Sequence, residues 1–120
     1  MGTLKSYKEL IVWQKAITLV KEVYLLTNSF PEEEKYGLVS QMRRSSVSIP
    51  SNIAEGWGRL STKNYIQFLR TARGSLFELE TQMIISAELN FNNNNKNLES
   101  LIVEISKMLN ALIKSLNEKE

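Results

Sequence analysis

Apolar residues recur along this chain at intervals of three and four almost from end to end, the spacing that lines one side of an α-helix. Four stretches carry the pattern. In the first, Leu10, Trp13, Ala16, Ile17, Val20 and Tyr24 form a stripe, entered near Ser6, where Ser6-Tyr7-Lys8-Glu9 reads as a capping box. It should end near Asn28, ahead of Phe30-Pro31. The second opens at Glu32, Glu33 and Glu34, whose charges suit the positive end of a helix dipole, and runs to Gly56 with Leu38, Met42, Ile49 and Ile53 on one face. Pro50 falls inside it, removes one backbone donor and should bend it. The turn Gly56-Trp57-Gly58-Arg59-Leu60 and a Ser61 cap introduce the third, striped by Tyr65, Phe68, Leu69, Ala72, Leu76, Leu79, Met83 and Ala87. The asparagine tract Asn92 to Asn95 predicts a loop, because asparagine side chains compete for the helix backbone's hydrogen bonds. Asn97 is placed to cap the last helix, with Leu98, Leu101, Ile102, Ile105, Leu109, Leu112 and Leu116 inward. With short connections and neither an internal repeat nor a dividing linker, the expectation is an all-α, antiparallel up-down four-helix bundle, one domain over residues 1–120.

The helices differ in how many apolar faces they carry. The fourth has one narrow stripe, with Glu99, Lys107, Asn110 and Lys114 behind it. The first adds Val12, Leu19, Val23 and Leu26 on a flank, the second Val47, Pro50 and Ala54, the third Ile66, Phe77 and Ile84. One face per helix suffices for a bundle's own core. Val12, Leu19, Val23, Val47, Ala54, Ile66, Phe77 and Ile84 are therefore candidates for an interface between copies, against the plainer alternative of a wide core arc with a few exposed aliphatics.

Composition narrows the chemistry. Among 120 residues there is no histidine, no cysteine and no aspartate. Serine–histidine and cysteine–histidine catalysis lack their base, and zinc and most redox metals lack their preferred ligands. The expectation is a non-enzymatic binding protein with no cofactor and no metal. No run of 18 uncharged apolar residues marks a membrane span, and the opening Met1-Gly2-Thr3-Leu4-Lys5 does not read as a signal peptide, so a cytoplasmic location is expected.

Charge is unevenly placed. Arg43, Arg44, Arg59, Lys63, Arg70 and Arg73 lie between Leu38 and Phe77 against the single acid Glu55, an excess of +5 that leaves −3 for the rest of a chain of net charge +2. Every arginine falls in this segment. The guanidinium fork matches phosphate oxygens and stacks on bases. Arg43, Arg59, Lys63, Arg70 and Arg73 thus read as a candidate RNA- or DNA-binding surface, with Trp57 and Tyr65 as nearby stacking platforms. Arginine is equally the preferred cation for partly buried ion pairs, with Glu55, Glu78 and Glu80 as partners.

Beside the apolar stripe of the second helix, Gln41, Arg44, Ser48, Asn52 and Glu55 follow one another at steps of three, four, four and three. Such a row reads as a polar network that fixes helix register, or as a ligand site. Gly56-Trp57-Gly58 does not read as a dinucleotide loop, since no strand precedes it; a helix C-cap and turn account for both glycines.

Several of these phrases carry a likeness. Tyr7 to Ala16 (YKELIVWQKA), Ser40-Gln41-Met42-Arg43-Arg44, Ser48-Ile49-Pro50, Asn52-Ile53-Ala54-Glu55-Gly56, and Phe68-Leu69 to Gly74-Ser75 together resemble the four-helix-bundle family encoded by bacterial 23S rRNA intervening sequences. SIPSNIAEG is the most specific part, and the likeness covers nearly the whole chain. It implies a bundle that assembles into a homo-oligomeric ring, typically a pentamer, of basic character. The family is similar to the accessory protein of diversity-generating retroelements, which implies nucleic acid or a protein partner such as a reverse transcriptase. Only a structural role for Arg44, Ser48, Pro50, Asn52 and Glu55 carries over, and no catalytic residue does.

Overall fold

A computed structural model describes residues 4–93 and 95–119; Met1, Gly2, Thr3, Glu120 and, within the asparagine tract, Asn94 lie outside the described residues. Four helices make the fold: α1 (Ile11–Thr27), α2 (Leu38–Trp57), α3 (Thr62–Glu88) and α4 (Lys96–Glu118). Among the described residues there is no strand. α2 packs on α1 and α3, and α4 on α1 and α3, so each helix has two neighbours and the fold is all-α. Contacts between α2 and α3 fall along one helix as they rise along the other: Gly56 meets Tyr65 and Phe68, Ser48 meets Ser75, and Ser45 meets Gln82. The body measures 47 × 24 × 21 Å, a rod whose long axis suits a 27-residue α3 at about 1.5 Å per residue.

Two expected helix starts become short 3₁₀ turns instead. Ser6 does cap, accepting from Lys8 N–H, while Glu9 reaches back to Lys5 N–H, but the turn they close spans only Tyr7–Glu9. Leu10 is then extended and α1 begins at Ile11. The acidic trio likewise makes a 3₁₀ turn, and Glu34 Oε1 takes the Leu38 N–H at the head of α2. Ser61 caps α3 as expected, accepting from Asn64 N–H. α4 is capped by Asn95 rather than Asn97: its Oδ1 accepts the Leu98 N–H, and Asn97 already lies inside the helix. α3 ends in a Schellman motif, with Asn90 at φ 64°, Asn90 N–H on Ala87 O and Phe91 N–H on Ser86 O. Pro50 lies inside α2, buried.

The core takes Val12, Ala16, Leu19 and Val23 from α1; of the expected stripe Ala16 is buried and Leu10 and Trp13 pack half-buried against the core, while Ile17 and Tyr24 are exposed. From the other helices come Met42, Ile49 and Ile53; Leu69, Leu76 and Leu79; and Leu98, Ile105 and Leu109. Four residues expected at an interface between copies, Val12, Leu19, Val23 and Ile66, are thereby corrected to core: each is buried within the chain and offers no surface to a second one. Polar side chains enter the core where they find partners. Ser45 Oγ donates to Gln82 Oε1 at 2.8 Å, and Ser86 pairs with Asn92.

Gly56 marks the α2–α3 crossing. It is a buried helical residue, not a C-cap, and a Cβ there would sit 2.8 Å from Phe68 Cβ and 3.0 Å from Tyr65 Cδ1. Close approach, rather than a special backbone angle, requires the glycine. Gly58 takes the C-cap position.

Candidate functional site

The five cations expected to form one basic surface separate into two groups. Arg43 is a brace between helices. Its guanidinium lies 4.4 Å from the Tyr24 ring centre, Nε donates to Thr27 Oγ1 at 3.0 Å, and Nη2 donates to Asn28 Oδ1 at 3.1 Å. Arg59 is a clasp at the α2–α3 corner, paired with Glu55 at 3.1 Å and resting 4.6 Å over the Phe68 ring. These two are committed within the chain, and Glu55 offsets the charge of one of them.

Lys63, Arg70 and Arg73 lie along one side of α3. Lys63 and Arg70 are exposed and make no ion pair or side-chain hydrogen bond among the described residues. Two α3 turns separate them, about 10 Å along the axis. Arg73 is half-buried and donates to Asn110 Oδ1 at 2.9 Å across the α3–α4 seam. Nearer the α3 start, a shallow notch of about 190 Å³ is lined by Lys63, Gln67, Arg70 and Asn117. Lys114 stands one turn from both Asn110 and Asn117 on α4 and is exposed. The result is a narrow seam with the cations Lys63, Arg70 and Arg73 on the α3 side and the carboxamides Asn110 and Asn117 on the α4 side. Asn117 was missed by grouping charges along the chain; its seven-residue step from Asn110 was the available signal.

Trp57 and Tyr65 are not free stacking platforms. They meet edge to face at 6.5 Å, and the Tyr65 hydroxyl is buried without a hydrogen-bond partner. Burial raises the Tyr65 pKa above its ordinary value, because the charged form loses its water.

The polar row on α2 is shorter than expected. Asn52 Nδ2 donates to Ser48 O at 2.8 Å and to Ser48 Oγ at 2.9 Å, and Ser48 Oγ meets Ser75 Oγ at 2.8 Å on α3. That triad ties α2 to α3. Glu55 belongs to the Arg59 clasp instead, and Gln41 and Arg44 are exposed with no side-chain partner among the described residues. They stand outside the network because their positions on α2 point past the helix's neighbours into solvent.

Further along the α3–α4 seam the chemistry reverses. Phe77 is half-exposed, and beyond it a cleft of about 210 Å³ is lined by Glu80, Met83, Ile84, Glu99, Ile102 and Val103. Ile84 is 60% exposed and Val103 48%. Across the molecule, α1 and α2 frame a second apolar groove. One end carries Lys35, Tyr36, Arg43 and Arg44; Val47 joins it to an uncharged stretch lined by Ile17, Pro50 and Ala54. Of the residues expected at an interface between copies, Val47, Ala54, Phe77 and Ile84 thus reach the surface, on two separate faces. Among the described residues no group of three or more acidic, histidine or cysteine side chains is arranged to hold a metal, and no helix is long and apolar enough to cross a membrane.

No curated protein matches the chain. A crystal structure of a protein of unknown function from the S23 ribosomal protein family, from Bacteroides thetaiotaomicron, is similar: 24% identity, 87% of this chain and 99% of that one covered, TM-score 0.75. At that identity the likeness speaks for the fold. The sequence profile of the 23S rRNA-intervening sequence protein family matches residues 8–111. With that match over most of its length, and the four-helix architecture beneath it, the chain belongs to the 23S rRNA-intervening sequence protein family.

Proposed function

We propose that this protein is a non-catalytic, self-assembling binding protein that holds RNA or DNA by its phosphates along the basic end of the α3–α4 seam. The observation that carries the reading is the row of Lys63, Arg70 and Arg73 along one side of α3, with Gln67, Asn110 and Asn117 as neutral donors beside them. Exposed cations without carboxylate partners are free to displace condensed counterions, which gives affinity without sequence preference. Arg43 and Arg59 are left out of the contact set, being engaged with Tyr24, Thr27, Glu55 and Phe68. A second reading, a scaffold that docks a protein partner, draws on the exposed apolar side chains Phe77, Ile84 and Val103.

Fluorescence anisotropy with a single-stranded RNA oligomer over a salt series tests the first reading. Three phosphate contacts predict a slope of log affinity against log salt of about −2 per bound subunit. Lys63→Gln with Arg70→Gln should flatten it by about 1.4, since each lost contact removes about 0.7. Arg43→Gln should leave the slope alone. Absence of binding by the unmodified protein to RNA and DNA at about 50 mM salt, where phosphate contacts are strong, would remove this reading and favour the scaffold.

A further inference from the structure

Neither Trp57 nor Tyr65 is free to stack on a base, but another ring is. Tyr36 is 88% exposed, the most open aromatic side chain among the described residues. It lines a groove of about 510 Å³ between α1 and the start of α2, together with Tyr24, Lys35, Ser40, Arg43 and Arg44. Lys35 Nζ lies 5.7 Å from the Tyr36 ring centre. Arg43 holds the second ring in place, its guanidinium packed on Tyr24 and donating to Thr27 and Asn28. Arg44 is exposed and makes no ion pair or side-chain hydrogen bond among the described residues. The described lining holds no carboxylate. Glu34 is turned to the Leu38 N–H at the head of α2, and Glu32 and Glu33, though exposed, are not part of the lining.

We infer that this groove is a second nucleic-acid site, built for an unpaired base: a single strand lays a base face on Tyr36 and sets the neighbouring phosphates beside Lys35 and Arg44. Aromatic rings in a positively charged groove hold single strands with little regard to sequence, since every base has a π face. A duplex cannot use the ring in this way, because its base faces are covered by their own stack. An apolar peptide would leave three cations without counter-charge, whereas a nucleic-acid strand supplies both the charge and the flat partner. Arg43 takes no phosphate here; it keeps Tyr24 as the inner wall. The groove is separate from the α3–α4 strip and does not rest on it. Tyr36 precedes the 20-residue α2 and Lys63 follows it, which sets the two about 30 Å apart along the helix axis. What the groove adds is a preference that phosphate contacts alone lack, for single strand over duplex.

The test reads the groove in a full chain whose strip is disabled by Lys63→Gln with Arg70→Gln. Fluorescence anisotropy at low salt compares a short single-stranded RNA with a duplex of the same sequence. The strip-disabled protein should favour the single strand. Adding Tyr36→Ala should weaken single-strand binding about 5- to 30-fold, the loss of one stacked base, and leave duplex binding unchanged. Adding Tyr36→Phe should keep the affinity, since the ring and not the hydroxyl makes the stack. Ultraviolet crosslinking of the unmodified protein to the single strand, mapped by mass spectrometry, should mark Tyr36. The side chain is exposed, so neither replacement reaches the core. A Tyr36→Ala protein that keeps its single-strand affinity, or loses single strand and duplex alike, would overturn the stacking site. So would a change in its mass by light scattering, which would assign the ring to a protein contact. A strip-disabled chain that binds no RNA while the unmodified chain does would overturn the groove and leave the strip standing. Absence of binding by the unmodified chain would remove both.

Discussion

Replacing Gly56 by alanine adds one methyl group where α2 crosses α3, and the structure says what that group would meet. Its nearest neighbours would be Phe68 Cβ at 2.8 Å, Tyr65 Cδ1 at 3.0 Å and Tyr65 O at 3.3 Å. Two of these atoms cannot swing aside: Phe68 Cβ is fixed to its backbone and Tyr65 O belongs to it. Relief therefore requires α3 to move away from α2, and overpacking of this kind costs about 1–3 kcal/mol. Against it stands the helix preference for alanine over glycine, worth up to about 1 kcal/mol. Because the closest clash is with rigid atoms, the packing term should win, for a net loss of roughly 1–2 kcal/mol. In a domain of this size that lowers Tm by about 4–10 °C. Gly74 supplies the control. It lies in the middle of α3 with nothing within 4 Å of its would-be Cβ, so Gly74→Ala should raise stability by up to about 1 kcal/mol. Thermal melts by circular dichroism at matched concentration read both. A Gly56→Ala protein as stable as the unmodified chain would refute the close-approach argument.

Other consequences follow from the polar groups. Asn52→Ala should cost about 1–2 kcal/mol in urea titration, as Ser48 loses a donor inside the Ser48–Ser75 triad, while Glu55→Ala, which breaks a solvent-facing ion pair, should cost under about 1 kcal/mol. Ser45→Ala should cost about 1–3 kcal/mol by stranding the buried Gln82 Oε1, and adding Gln82→Leu should recover much of that loss; a double-mutant cycle without coupling contradicts the pairing. Tyr65→Phe removes a buried, unpartnered hydroxyl and should be neutral or stabilising by up to about 1 kcal/mol at neutral pH. The folded-state Tyr65 pKa is raised above 10.0, so the unfolded chain releases this proton first. Stability is then unaffected by Tyr65 below pH 10 and falls above it, and the Phe variant should show a shallower alkaline decline of Tm than the unmodified protein.

The number, order and approximate extent of the helices were legible from periodicity, and Ser61 and the asparagine tract marked two of their boundaries. Which side of α1 faces inward was not. The stripe Leu10–Trp13–Ala16–Ile17–Val20–Tyr24 and the flank Val12–Leu19–Val23–Leu26 both follow helical spacing, so the period alone cannot choose between them. The structure buries Val12, Leu19 and Val23 from the flank together with Ala16 from the stripe, while Ile17 and Tyr24 stay exposed and the Tyr24 ring supports the Arg43 guanidinium. The Ser45–Gln82 bond joins residues 37 apart and has no local signature. The basic surface was legible as a charge excess but not as a surface. Proximity along the chain placed Arg43 and Arg59 with Lys63 and Arg70, whereas folding ties the first pair down and brings Asn117 from another helix to the second.

The connection between α3 and α4 is closed independently at each end. Asn90, in the left-handed conformation, stops α3 through the Ala87 and Ser86 carbonyls, Phe91 lies 5.8 Å from Phe30, and Asn92 holds Ser86. Asn95 starts α4 with its own side chain. Neither terminus relies on the length of chain between Asn92 and Asn95, and lengthening a loop costs only about 0.6 kcal/mol per doubling. The corner is therefore a natural splice point: the bonds that close α3 and α4 lie on either side of it, so residues added there leave both helix ends capped and cost chiefly the entropy of a longer loop.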